Sequence, residues 1–336
     1  MIQLQKTTIH ILDNDADIPV LNSREIILNT VTEDFFTKIL KKTLRNKFLR
    51  KAKFNNYKGN AIRTIADKMI YEEEYFINGS HEIASKLYKV MEKSFSLDSN
   101  DLAVVRFFYN EETYIGIIKL DYSNSLGHET TFNNETQEVE VKVIENKVSF
   151  KPNQKVEHAA IFKVSSLNSE YDLFVLDEEA EKNQVESEFI KEFLDCFTIM
   201  DSSYLTKNFL NILKNWSDLR NIDILDSEYF KGYYKNVFLE KHIFDLDSFL
   251  EESPLEEDDK EDFKFLVDNY GFPSEFEIDN TEAEKMLKNR KIKTDTGFEV
   301  KAKDEMFSDS ILYTINKNND ETFNIIIKNV YKIEEK

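Results

Sequence analysis

Asp121 closes the apolar run YIGIIKL, and Glu140 and Lys142 stand two apart in EVEVKV. In an extended chain that spacing puts Glu140 and Lys142 on one strand face. An acid at the end of one strand with E-x-K on its neighbour resembles the magnesium site of many nucleases, where carboxylates hold the ion and the lysine aligns the attacking water. The pattern is also cheap: E-x-K recurs at Glu145 and Glu299, as expected of a chain so rich in Glu and Lys. A solvated strand face explains it with fewer assumptions, so no metal and no catalytic residue is expected there.

Other catalytic signatures are missing. The seven glycines, at 59, 79, 116, 127, 232, 271 and 297, are too scattered for a phosphate cradle or a dinucleotide fingerprint. The five histidines, at 10, 81, 128, 158 and 242, form no HExxH and no H-x-E with paired cysteines. His158 opens the strand-like HAAIF and reads as an ordinary hydrogen-bonded histidine. Cys196, the single cysteine, sits among apolar positions of FLDCF and reads as a buried thiol on a helix, and no G-x-S-x-G elbow exists. Trp216 reads as core. No cofactor is expected.

The block KILKKTLRNKFLRKAKF, residues 38–54, is different in kind: it holds eight Lys or Arg and no acid. From residue 35 to residue 66 there are ten bases and no acid, in a chain of formal net charge -20. At 100° per residue, Phe36, Leu40, Leu44 and Phe48 share a broad face with Phe35 and Ile39, and Lys38, Lys41, Lys42 and Arg45 lie opposite. A helix is expected, its wet side wholly basic, with Thr30 and Glu33 spaced as a capping box. Like charges three and four apart repel, a cost that an external anion or the chain's own acidic stretch at 245–262 would offset.

The elements that must position these residues follow from periodicity. IQLQKTTIHIL alternates as a strand, and a second helix, SHEIASKLYKVMEKSF, follows Gly79. DLAVVRFFY, TYIGIIKLDY, EVEVKVI, HAAIFKV and YDLFVL then read as five strands with short connections, a mostly antiparallel meander. Helical period returns in SEFIKEFLDCF, TKNFLNILKNW and KNVFLEKHIF. DLDSFLEESPLEEDDKED, with ten acids and one Lys around Pro254, reads as a solvated linker or helix junction. TEAEKMLKNR is a further helix, with Thr281 and Glu284 as its capping box, and TGFEVKA, SILYTIN and TFNIIIKNV are strands, the last two joined through KNND as a hairpin. The expected fold is α+β: a mostly antiparallel sheet with N-terminal helices, a following helical region and a C-terminal β-hairpin. The expected division is 1–197 and 198–336.

With 336 residues, 41% of them apolar, the chain can bury a sizeable core. No apolar run is long enough to cross a bilayer. The opening segment lacks a secretory pattern and no cysteine pair exists, so a reducing cytoplasm is expected. The acidic balance argues against nucleic-acid contacts over the whole surface, although a local basic face can still bind phosphate, because salt screens charges beyond roughly 10 Å.

TTIHILDND, NKVSFKPNQKVEHAAIFKV, SEYDLFVLDEEAEKNQVESEFIKEFLDCF and GFEVKAKDEMFSDSILYTINKNNDETFNIIIKNV resemble, in spacing and character, the bacterial nucleoid-associated protein family of the NdpA type, over nearly the whole chain. The resemblance implies a cytoplasmic protein of the nucleoid that binds DNA, with no established cofactor or catalytic role. One departure bears on the site: where a basic element is expected after YDLFVL, this chain has Asp177, Glu178, Glu179 and Glu181. That shifts the burden of phosphate contact to residues 38–63. The leading expectation is a non-catalytic protein that grips double-stranded DNA, largely without sequence preference, through Lys38, Lys41, Lys42, Arg45, Arg50, Lys51 and Lys53. A homodimer would set two basic faces on one duplex. Two other readings stay open: a metal-dependent nuclease around Asp121, Glu140 and Lys142, and a protein-interaction subunit of a bacterial DNA-associated or defence assembly, whose basic helix meets an acidic protein partner.

Overall fold

The apolar runs LAVVRFF and YIGIIKL have almost no polar break, the pattern of strands covered on both faces. The computed structural model, which describes residues 1–133, 137–148, 150–151, 154–183, 185–220, 224–320 and 322–334, sets them in the middle of a seven-stranded sheet. The chain divides into two units, Met1–Ile199 and Met200–Lys336.

The first unit runs β1 (Gln3–Leu12), α1 (Thr30–Leu44), β2 (Arg50–Phe54), α2 (Ala61–Tyr71), α3 (Phe76–Met91), β3 (Asn100–Tyr109) and β4 (Glu112–Asp121). It continues with β5 (Ser123–Asn133), β6 (Glu138–Val148), β7 (His158–Phe162), β8 (Leu173–Asp177), α4 (Glu178–Asn183) and β9 (Cys196–Thr198). The sheet order is β1-β3-β4-β7-β8-β2-β9, antiparallel throughout. Four of the five strands expected in the meander, β3, β4, β7 and β8, lie side by side in it, while EVEVKVI, β6, leaves it with β5 as a separate ribbon between β4 and β7 in sequence.

Period two sorts the side chains of the central strands. Leu102, Val104, Ile115 and Ile117 belong to a core that includes Met69, Phe76, Ile83 and Leu87 of α2 and α3. Ala103, Val105, Ile118 and Leu120 belong to another, shared with Phe36, Ile39 and Leu40 of α1. Gly116 brings α1 down onto the sheet: a Cβ there would lie 3.4 Å from Leu40 Cδ2 and from Phe107 Cε1. Between α2 and α3, Gly79 does the same more severely, since its Cβ would lie 2.5 Å from Met69 Cγ.

The second unit comprises α5 (Ser202–Leu219), α6 (Ile224–Glu240), β10 (Ile243–Asp245), α7 (Leu246–Glu252), α8 (Glu257–Asn269), β11 (Glu275–Glu277) and α9 (Asn280–Leu287). β12 (Asn289–Lys293), β13 (Glu299–Lys303), α10 (Asp304–Ser308), β14 (Tyr313–Lys317) and β15 (Phe323–Ile327) follow. Phe209 is the hub of its aromatic core, with the rings of Phe238, Phe244, Phe249, Phe263 and Phe276 around it. The fold is α+β, and β14 with β15 is the C-terminal hairpin.

Several expected elements have other bounds. The helix over the basic block stops at Leu44, and Arg50–Phe54 is the strand β2 between β8 and β9. FLRKAKF alternates, with Arg50, Ala52 and Phe54 inward, so period two takes over where the helical pattern was carried on. The cap of α1 is Asn29, whose side chain accepts from the Val31 and Thr32 amides at 3.0 and 3.1 Å, with Thr32 completing the box in place of Glu33. Asp279, through the Glu282 amide, caps α9. Cys196 lies on β9 and not on a helix, and the helical period before it resolves into one π-helical turn, Phe189–Phe193. The 245–262 stretch is a helix junction: Asp245 caps α7, and Pro254 stands between α7 and α8.

Candidate nucleic-acid interface

Helix α1 is pinned by its apolar face, which leaves its other face to water. Lys38, Lys41, Lys42 and Arg45 are all exposed, within about 100° of arc and roughly 10 Å of helix length. Lys38 is paired with Asp34 at 2.6 Å. Among the described residues, Lys41, Lys42 and Arg45 have no acidic partner. Lys38 with Lys42 and Lys41 with Arg45 are like-charge pairs at i,i+4, which destabilise a helix by about 0.2–0.5 kcal/mol each. The partial negative charge at the C-terminal end of α1 offsets part of that repulsion, because Lys41 and Lys42 lie in its last turn.

The remaining expected contacts are not on this face. Arg50 is buried and bonded on both sides of its guanidinium: Nη1 donates to Glu181 Oε1 at 2.7 Å and Nη2 to the Ile199 carbonyl at 2.9 Å. It is a structural clamp between β2, α4 and the residue after β9, and unlike the cations of α1 it is not presented to solvent. Lys51 and Lys53 point out of β2 but are half-buried, and Lys51 is paired with Glu170 at 2.5 Å. The basic block thus divides into an exposed helical half and a half-buried strand half.

Of the acids of Asp177–Glu181, which seemed merely to interrupt a basic loop, Glu181 holds Arg50 of that second half, while Glu178 and Asp177 engage groups outside it. Asn46 Nδ2 donates to Glu178 Oε2 at 3.4 Å, and Lys155 lies 3.5 Å from Glu178 Oε1, which Lys182 also holds. Burial pushes the Glu178 carboxyl up, but the bonds from Lys182 and Asn46 and the neighbouring lysine charges outweigh it, leaving it below its ordinary value. Asp177 behaves alike: burial raises it, His158 and the bonds from Ser187 and the Ala180 amide lower it further, and the net is a depressed pKa. His158, 3.5 Å from Asp177 Oδ2, has the structural setting expected of it. Within the second unit, acids of the 245–262 stretch have partners of their own: Asp247 pairs with Lys264, Asp259 and Asp262 with Arg220, and Glu252 with Lys241.

The nuclease constellation is not assembled. Among the described residues, the neighbours of β4 are β3 and β7, whereas β6 pairs with β5 alone. Glu140 sits opposite Thr131, eight pairs from the Ser123 base of the ribbon, or roughly 27 Å along it. Lys142 is engaged by Glu140 at 3.1 Å, and Asp121 by the buried Lys119. Among the described residues, no three His, Cys, Asp or Glu side chains are grouped to hold a metal. Burial drives the Cys196 thiol pKa far up, the setting of an inert cysteine. Trp216 is core, its Nε1 donating to Asp262 at 2.8 Å.

Among the described residues, no helix is long and apolar enough to cross a membrane. A family model described as nucleoid-associated protein YejK matches residues 8–334. No curated protein matches the chain.

Proposed function

The chain belongs to the nucleoid-associated protein YejK family, and from that premise we propose that it binds double-stranded DNA through the exposed cations of α1. Lys41, Lys42 and Arg45 carry the contact, and Lys38 joins them by exchanging Asp34 for a phosphate. The observation that supports this reading is a row of like charges, left without acidic partners on a helix whose fold does not need them. Lysines supply point charges to phosphate oxygens and not the planar fork that reads base edges, so binding is largely indifferent to sequence. Its driving force is counterion release.

With four phosphates neutralised, the logarithm of affinity falls with the logarithm of salt at a slope near -3.6. The test measures binding to unrelated duplexes at two or more salt concentrations, for the parent and for Lys41→Glu, Lys42→Glu and Arg45→Glu combined. The variant is expected to lose most of its affinity and most of its slope. Equal binding by variant and parent would remove α1 from the interface.

A further inference from the structure

β3 and β4 form a hairpin turned by Asn110 and Glu111, both with positive φ. At its open end Asn100 faces Asp121, and Lys119 stands two residues before Asp121 on the same face. Leu102, opposite Lys119, identifies that face as the one whose core includes Leu87 and Met91 of α3. Lys119 is 2% exposed and Asn100 is fully buried. A lysine is almost never buried so deeply without a partner, and its ammonium has three donors to satisfy. Among the described residues, Lys119 Nζ meets Asp121 Oδ1 alone. Asn100 Nδ2 donates to the Asp98 carbonyl at 3.0 Å and lies 3.6 Å from Met91 Sδ. Asn100 Oδ1 and Asp121 Oδ2 are both buried and have no hydrogen-bond partner among the described residues.

An amine, a carboxamide and a carboxyl group thus meet in one buried place, with an orphaned oxygen on each of two facing residues. Buried orphans of this kind call for a specific explanation. Two acceptors cannot satisfy each other, but a carboxylic acid donates where a carboxylate only accepts. Passing one proton from Lys119 to Asp121 supplies a donor for Asn100 Oδ1 and leaves an amine with a free electron pair.

We infer that Lys119 and Asn100 join in an intramolecular isopeptide bond, with Asp121 carrying the protons. Facing residues of an antiparallel pair hold their Cβ atoms about 4.5–5.5 Å apart, so the bond from Nζ to Asp121 brings the amine to the level of the Asn100 side chain. Nζ attacks Cγ of Asn100, and the Asp121 acid steadies the charge that develops on Oδ1. Nζ then gives a proton to Nδ2, the Cγ–Nδ2 bond breaks, and ammonia leaves, taking the proton held by Asp121. An ammonium ion departs and Asp121 is a carboxylate again, so no oxidant, reductant or second reactant is needed. The apolar core around Met91 keeps water from competing for Cγ. The bond ties the hairpin at the end opposite its turn, on the strand that leads into the β5–β6 ribbon. It stands apart from the phosphate contact of α1.

The test is the intact mass of the full chain, incubated folded and then denatured for mass spectrometry. The parent is expected to weigh one ammonia less than its sequence dictates, and digestion to yield a branched peptide joining Lys119 to Asn100. Lys119→Met and Asp121→Asn are each expected to keep their full sequence mass. Asn100→Asp puts oxygen where the leaving nitrogen was, so its deficit is expected to be one water. A parent of full sequence mass makes Lys119 and Asp121 an ordinary buried ion pair and overturns the inference, whether or not any variant folds. An ammonia deficit that persists in Lys119→Met or in Asn100→Asp, or that maps to other residues, overturns it as well.

Discussion

Arg50→Ala separates two accounts of the basic block. As one of a row of surface cations, Arg50 would hold phosphate, and its loss would weaken DNA binding while leaving the fold alone. As the clamp described above, its loss strands the Glu181 carboxylate and frees the Ile199 carbonyl that holds β9. Breaking a buried ion pair from one side costs about 3–5 kcal/mol. Glu181 keeps 21% of its side-chain surface in water and is partly rehydrated, so about 2–4 kcal/mol is the better figure. In a unit of this size each kcal/mol shifts the melting temperature by about 2–4 °C, so a fall of roughly 4–16 °C is expected. Tryptophan fluorescence would miss it, because Trp216, the sole tryptophan, belongs to the second unit. Hydrogen exchange at the amides of β2 and β9 reports the right region, and Arg50→Met with Glu181→Leu, which removes both charges and keeps the volume, should recover much of the loss. If Arg50→Ala melts within 2 °C of the parent and instead binds DNA about tenfold more weakly, the clamp argument is wrong.

Two further outcomes follow from buried groups. His10 is buried, its Nδ1 accepting from the Asn22 amide at 3.1 Å and its Nε2 3.0 Å from Ser80 Oγ; burial and, secondarily, His81 lower its pKa to about 4. The unfolded chain therefore binds a proton that the folded chain refuses, so His10's contribution is complete above about pH 6.5 and lost as pH falls toward about 4. The unfolding free energy of the first unit, from urea titrations, should fall across that window by up to about 3 kcal/mol, and His10→Gln should flatten the fall; an unchanged profile in the variant refutes the assignment. Gly79→Ala should destabilise the first unit by about 1–3 kcal/mol through Met69, whereas Gly232→Ala, in α6 with nothing within 4 Å, should stabilise the second by about 0.5–1 kcal/mol. Calorimetry giving both changes the same sign would contradict that account of the two glycines.

How far the sequence could be read depended on whether the deciding contact was local. The apolar stripe of α1 repeats at helical spacing and its cap lies within four residues of its start, so the helix was legible and only its cap was off by one. Its end was not legible, because no Gly or Pro stops it. FLRKAKF then hides its strand alternation behind Arg50, a cation at an inward position that makes sense only with Glu181, 131 residues away. The helix α2 was missed although Asn60 caps it and Ile62, Ile65, Ala66, Met69 and Ile70 recur at helical spacing, a signal overshadowed by the basic run. Asp121, Glu140 and Lys142 were correctly placed on strands, but strand neighbours are a long-range property. The excursion of β5–β6 separates what adjacency in sequence had joined.

The same distinction governs charge. Net charge is a property of the whole chain, while phosphate binding is a property of a surface roughly a Debye length across. Residues 35–66 hold ten bases and no acid, so the rest of the chain carries thirty more acids than bases. In physiological salt that acidic remainder is screened beyond roughly 8–10 Å, and a duplex against α1 would feel chiefly the four exposed cations. The acidic surroundings would then restrict orientation more than affinity, since any other approach brings phosphate toward carboxylate. Glu178 and Glu181 fit this arrangement. Glu181 neutralises Arg50, and Glu178 engages Lys155 and Lys182, so these cations do not extend the positive face of the helix. A basic block spread evenly over helix and strand would be a broader but vaguer anion surface. Splitting it, with Arg50 and Lys51 tied to acids and Lys41, Lys42 and Arg45 without acidic partners among the described residues, leaves a narrow helical face on which a phosphate backbone could lie.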